Sequence, residues 1–342
     1  MIDLVVVGGG PAGLMTALLA SRAGLDTVVL EPRAAPIDKA CGEGLMPPAV
    51  AALARVGVKP EGLPLRGIRY RLGNVTATAD FPAAPGRGVR RTELHRALHA
   101  AVTDAGVCVQ ARRAQDVRQD GGSVSVAGIR ARYLVAADGL HSPVRRQLSL
   151  NRQPARSEPA RRWGQRGHFA VAPWTDHVEV YWNGEREAYV TPVSSDGVGV
   201  AILGGRGGAW QEQLAGFPEL VDRLGGTAPV GQVLAAGPLR QPVRRRTLGR
   251  VVLVGDAAGY LDALTGEGLA VAFASAEALI ARVVADDVVG YEADWRRISR
   301  RSRLITAALL WAARRPALRS RIVPIAAAYP AVFRAAVAQL AC

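Results

Sequence analysis

The chain is poor in several residue types, and each shortage narrows its class. It has 3 cysteines in 342 residues, at Cys41, Cys108 and Cys342. An odd number at wide spacing indicates neither a disulfide framework nor a zinc site, and no metal site is expected. Lysine is nearly missing: Lys39 and Lys59 are the only two among 43 basic residues, so arginine carries almost all of a net charge of +14. Those arginines are scattered apart from short clusters at 244–246 and 296–303, and aromatics make up only 5%. No basic surface interleaved with aromatics results, which argues against nucleic-acid binding. No apolar run of about 18 residues is free of charge and proline, so no transmembrane helix is expected and membrane contact is at most peripheral. A glycine cluster already begins at Gly8, which leaves no room for a signal peptide, and the cytoplasm is the expected location.

What is present is concentrated at the N-terminus. Apolar residues 4–7 read as a buried parallel strand that breaks into Gly8-Gly9-Gly10-Pro11-Ala12-Gly13. A helical pattern runs to about residue 23, and a second apolar strand, 27–30, ends on Glu31. This is G-x-G-x-x-G in its required setting of strand, helix and acid about twenty residues on, the signature of a dinucleotide site. Gly8 permits the turn, Gly10 lets a pyrophosphate approach the backbone, and Gly13 lets helix and strand pack closely. Ala12 lies in the first turn, whose free N–H groups and positive dipole end hold phosphate. Glu31 is placed to accept from the hydroxyls of an adenosine ribose, with Arg33 beside it.

Further along, a loop carries Lys39, Cys41 and Glu43 and either connects elements or faces the reactive end of a cofactor. A helix is expected over 48–56, and strands over 67–72 and 75–81. Arg91 precedes an amphipathic helix with Leu94 and Leu98 on one face and Thr92 as its cap. Strands at 107–110, 116–118 and 124–127 read as a meander. An apolar strand at 133–137 ends in Asp138-Gly139, and another at 250–254 ends in Gly255-Asp256. The second is followed by Thr265-Gly266-Glu267-Gly268 and a helix of small residues. Short strands alternate over 161–205; His168 and His177 within them read as ordinary surface or core histidines. Gly204–Gly208 lacks the fingerprint spacing and a following acid, so it reads as a turn and the chain holds one nucleotide site. Residues 292–342 read as arginine-rich helices that pack across the domain.

Taken in order, three segments resemble the flavoprotein family typified by p-hydroxybenzoate hydroxylase, which includes the group A flavin monooxygenases, geranylgeranyl reductases and flavin halogenases. They are Gly8–Gly13 with Glu31, Asp138-Gly139 with Ser142, Val144 and Arg145, and Gly255-Asp256-Ala257-Ala258 through Gly268; Arg91 with Leu94 and Leu98 matches the family's Arg-x-x-Leu helix start. The resemblance covers residues 1–285 and implies an α/β fold in which a Rossmann-type FAD-binding domain (1–62, 88–150 and 236–290) is interleaved with an antiparallel β-sheet substrate domain (63–87 and 151–235), followed by a helical C-terminus (291–342). By the same resemblance Asp256 would bond the ribityl chain of FAD, and the helix after Gly266 and Gly268 would face the flavin N1/O2 edge. Arg91 would lie near the pyrophosphate, and Asp138 and Gly139 would serve FAD and the nicotinamide cofactor.

The expected function is that of an FAD-dependent monooxygenase acting, through a C4a-hydroperoxyflavin, on an apolar phenolic or polyketide-like secondary metabolite. NADH or NADPH would be the transient reductant and O2 the co-substrate, or a separate flavin or ferredoxin-type reductase would supply electrons. The alternative is an FAD-dependent reductase saturating isoprenoid double bonds: Cys41-Gly42-Glu43-Gly44 resembles the Cys-Gly pair of geranylgeranyl reductases. Their Tyr-x-Trp-x-Phe-Pro strand reads Glu187-Ala188-Tyr189-Val190-Thr191-Pro192 here, and the halogenase Trp-x-Trp-x-Ile-Pro is missing. Cys41, Glu43 and Lys39 are the candidate catalytic groups.

Overall fold

In a computed structural model, which describes residues 1–152 and 161–341, the loop that carries Cys41 makes contact with the elements of two large sheets. The first is built where the sequence is most aliphatic. Ile2–Val7 lies between Thr27–Leu30 on one side and Ile129–Ala136 on the other, all parallel, with Val251–Leu253 parallel beyond the latter. Leu4, Val5, Leu134, Val135 and Val252 are fully buried, as expected of parallel strands covered on both faces. The chain leaves Ile2–Val7 toward one neighbour and reaches the other much later, so the glycine fingerprint sits at the point where strand order reverses, where such sheets bind ligands. Helix Pro11–Arg22 packs on helices Arg91–Asp104 and Gly268–Val284 over this sheet.

The second sheet runs in the order Val230–Ala236, Arg162–Phe169, Gly197–Gly205, Glu187–Ser194, His177–Trp182, Gly67–Leu72 and Val75–Asp80. It is antiparallel except at one joint, where His177–Trp182 runs parallel to Gly67–Leu72. That joint is how two segments far apart in sequence, 67–80 and 162–236, become one sheet. A small three-stranded sheet of Gly44–Leu45, Gly86–Gly88 and Leu63–Leu65 links the cofactor loop to it.

One expectation changes. Cys108–Gln110 does not join a meander with the strands that follow; it extends the first sheet, parallel to Thr27–Leu30. The arginine-rich end forms helices Tyr291–Ala313, Pro316–Ala328 and Pro330–Leu340, which pack across the domain as expected. Their Leu310, Val323, Phe333 and Val337 cover the sheet through Ile68, Ala77, Ala79 and Trp182. Among the described residues no single helix is long and apolar enough to cross a membrane; the last two reach that length only as a pair bent by 102°.

Candidate functional site

The fingerprint turn is held by contacts that only glycine permits. Gly8 has φ +105°, and a Cβ on Gly13 would stand 1.9 Å from the Gly8 carbonyl oxygen. A Cβ on Gly10, by contrast, would meet nothing nearer than Arg91 Nη2 at 3.8 Å. Helix Pro11–Arg22, which starts at that open space and takes in Ala12, has no side-chain cap. The first-turn N–H groups are therefore free for an anion. Gly9 N donates to Glu31 Oε2 at 2.9 Å, and its carbonyl accepts from His95 Nε2 at 2.9 Å. His95 carries its proton on Nε2, since a carbonyl only accepts, and burial pulls its pKa down to about 4. The sequence had given no reason to single it out.

Glu31 is buried at the end of its strand. Burial works to raise its carboxyl, but hydrogen bonds from Arg33 and Gly9 outweigh it and hold it below the ordinary range. Arg33 forks onto both Glu31 oxygens at 2.8 and 2.9 Å, so it reaches the site only through Glu31.

The two later motifs are locked together by a residue whose role was not anticipated. Arg145 Nη1 donates to the carbonyls of Ala257 at 2.9 Å and Asp256 at 3.2 Å, while Ser142 Oγ caps the short helix that presents it. Asp138 Oδ2 accepts from Val144 N at 3.0 Å, so this carboxylate shapes the turn; burial pushes its pKa up. Asp256 is open to the cleft, with Lys39 Nζ 3.9 Å away and Gly139 beside the same lysine. Gly255 and Gly266 hold positive φ values of 62° and 71°, and helix Gly268–Val284 begins without a side-chain cap. It too offers free N–H groups.

Glu43 is the hub of the Cys41 loop. Its backbone is left-handed at φ 60°, and the residue is 3% exposed. Oε1 accepts from Arg91 N at 2.8 Å, at the first turn of helix Arg91–Asp104. The anticipated cap, Thr92, makes no capping bond; a carboxylate 48 residues upstream does the work instead. Oε2 lies 2.7 Å from His168 Nε2. His168 Nδ1 is 3.0 Å from Arg166 Nη1 and 3.2 Å from Arg90 Nη2. A guanidinium only donates, so Nδ1 accepts, the imidazole is neutral, and Nε2–H donates to Glu43. His168 is thus no ordinary core histidine: it ties the Cys41 loop to the second large sheet, the roof sheet, with Arg166 also reaching Asp38 and, at 3.3 Å, the Lys39 carbonyl. His177, between Asp176 and Asp80, is the plain structural residue expected. Cys41 Sγ accepts from Glu43 N at 3.4 Å. Burial raises its thiol pKa, Glu43 adding to the rise and Arg91 opposing it, so the sulfur stays protonated.

These residues fit FAD. Arg91 Nε is buried without a partner beside the open space over Gly10, as a phosphate-facing group would be. Asp256 and the uncapped start of helix Gly268–Val284 line one cavity, and Gly255 stands close to Ala12, in the first turn of the other uncapped helix. No cluster of metal-ligating side chains occurs among the described residues.

The sequence profile of the family described as FAD binding domain matches residues 1–285. Menaquinone reductase of Mycobacterium tuberculosis is 32% identical over 209 residues, 52% of this chain and 48% of that protein. The match thus spans about half the length of that relative. Digeranylgeranylglycerophospholipid reductase 1 of Methanopyrus kandleri is 31% identical over 292 residues, 78% of this chain and 76% of that protein. A flavoprotein/dehydrogenase from Cytophaga hutchinsonii shares the fold, with a TM-score of 0.86 at 18% identity, covering 99% of this chain and 92% of that one.

Proposed function

The chain belongs to the FAD-binding-domain family of oxidoreductases, and from that premise we propose that it reduces carbon–carbon double bonds of an isoprenoid substrate. The observation that carries this reading is the neutral, half-buried Cys41 thiol held in the loop that Glu43, Arg91 and His168 fix against the cleft. Relatives named as reductases of menaquinone and of a geranylgeranylated phospholipid support it.

Gly10, Glu31, Arg91, Asp256 and the first turn after Gly268 would hold FAD, which, reduced by NAD(P)H or a separate reductase, would supply a hydride. Cys41 Sγ gives its proton to the other carbon of the double bond and regains one from water. Glu43 supplies the backbone N–H that orients the sulfur, and His168 fixes the Glu43 side chain by donating to Oε2.

A second reading, oxygen insertion into a phenolic or polyketide-like substrate, rests on the strand over the cleft. Tyr189 is its one aromatic on the face of Glu187 and Thr191; Tyr189 and Thr191 donate to the Leu264 and Gly42 carbonyls, and Glu187 is tied up by Arg162 and Arg319, whereas the geranylgeranyl reductase strand carries three aromatics. One experiment separates the two. FAD-loaded protein is reduced without oxygen and mixed with a polyprenyl quinone or prenylated lipid. Flavin reoxidation with two hydrogen atoms gained per double bond supports the reductase, and Cys41→Ala should slow it while FAD stays bound. A reaction that proceeds only with O2 and adds one oxygen atom would replace this reading with the second.

A further inference from the structure

Behind the Gly-Asp segment lies a pocket of about 270 Å3 at the meeting of helix Pro143–Gln147, residues 238–242, Leu261-Asp262 and the end of helix Tyr291–Ala313. Seven of its lining residues are arginine and one, Asp262, is a carboxylate. Arg145 is 2% exposed, yet all its hydrogen bonds go to neutral acceptors, among them Asn151 Oδ1 at 2.7 Å and Gln241 Oε1 at 2.9 Å. Among the described residues no carboxylate contacts this buried charge. Arg162 is matched, by Asp262 at 3.0 Å and Glu187 at 2.6 Å, but Glu187 also holds Arg319 at 2.7 Å. Among the described residues no carboxylate lies within ion-pair distance of Arg146, Arg152, Arg161 or Arg314. Burial and the neighbouring Arg162 push the Arg314 guanidinium down, against the pull of Asp262. Like charges gathered in a concave site raise each other's energy unless an anion joins them.

We propose that this pocket binds the phosphate or diphosphate group of an organic ligand. Guanidinium forks match phosphate oxygens two at a time, and a diphosphate carries enough charge for several of them, whereas one carboxylate would satisfy only one fork. The pocket is smaller than the roughly 300–1,000 Å3 that encloses a whole drug-sized ligand, so it suits a head group. Leu261 and Asp262 also line the adjoining cavity with Asp256 and Tyr260, so the remainder of the ligand has a route along this wall to the Gly-Asp segment. The phosphate site stands on the arginines. Assigning the ligand to the substrate, as the head of a prenylated chain, rests on the reductase reading.

The test therefore measures binding, without turnover. Oxidised, FAD-loaded protein is titrated calorimetrically with inorganic pyrophosphate, a prenyl diphosphate and NADPH, while flavin absorbance checks that FAD is retained. The triple variant Arg152→Ala/Arg161→Ala/Arg314→Ala should weaken pyrophosphate binding about a hundredfold, the loss of two or three charge-assisted contacts. Arg334→Ala, an exposed control, should leave it unchanged. A prenyl diphosphate that binds more tightly than pyrophosphate and competes with it assigns the site to the substrate. Competition by NADPH alone keeps the phosphate site and gives it to the electron donor. Failure of all three ligands to bind at low salt, or equal affinity in the triple variant, overturns the proposal.

Discussion

The two large sheets bury their strands by opposite means. In the nucleotide sheet, Leu4, Val5, Leu134, Val135 and Val252 are fully buried among aliphatic neighbours. In the roof sheet, the face that carries Arg162, Arg166, His168 and Glu187 is equally closed to water, with none of the four more than 9% exposed, yet it is ionic. Aliphatic burial is non-directional and tolerates any side chain of about the right volume. Ionic burial first costs desolvation and repays it only in one geometry, so it specifies arrangement more than it adds stability. The first sheet builds a platform, and the second fixes where the cofactor loop and the C-terminal helices must sit.

The sharpest way to break that contrast is at Glu187, which is fully buried between Arg162 and Arg319. Glu187→Ala leaves two buried guanidinium groups short of a partner and should cost about 3–5 kcal/mol of unfolding free energy. The near-isosteric Glu187→Gln should still lower the urea midpoint clearly. Leu134→Met in the nucleotide sheet, where only volume matters, should cost under about 1.5 kcal/mol. Equal midpoints for Glu187→Gln and Leu134→Met would remove the distinction.

The nucleotide half has its own polar dependence in His95, almost wholly buried against the Gly9 carbonyl. Its pKa falls from the usual 6.5 to about 4 on folding. Between those values the unfolded chain binds a proton that the folded chain refuses, so stability rises with pH across the window and is lost as pH falls from 6.5 toward 4. The loss amounts to roughly 3 kcal/mol by the lower end. His95→Gln, which keeps a donor for the carbonyl, should flatten this part of the pH profile; unfolding curves of the two proteins at pH 7 and pH 5 measure the difference.

The same contrast explains what the sequence could reveal. Ile2–Val7 with its glycines, Thr27–Leu30 with Glu31, and the Gly268–Val284 helix are all local patterns of apolar run, turn and acid, and each lies where the pattern puts it. What the sequence left dark depends on partners that no window contains. Cys108–Gln110 is too short to declare its neighbour, and Thr27–Leu30 takes it. His168 looks like any strand histidine until Arg90, Arg166 and Glu43, 2 to 125 residues away, converge on its ring. Arg145 was visible as part of a motif, but its grip on the Asp256 and Ala257 carbonyls was not.

The smallest effects give the finest discrimination, at the start of helix Arg91–Asp104. Local reading favours Thr92 as the cap, whereas the helix takes its anion from Glu43 through Arg91 N at 2.8 Å. Glu43→Ala should therefore cost about 1–2 kcal/mol, the usual loss of a cap, and Thr92→Ala under about 0.5 kcal/mol, the range of a surface change. Stability alone does not capture Glu43, because its other oxygen holds His168 and its own N–H orients Cys41. If the carboxylate works by positioning the loop, Glu43→Ala should lower kcat much more than it lowers the urea midpoint, and Glu43→Gln, which keeps an acceptor for Arg91 N, should recover most of the stability but not the rate. A Thr92→Ala loss as large as that of Glu43→Ala would return the cap to the local residue and reduce Glu43 to a bystander of the loop.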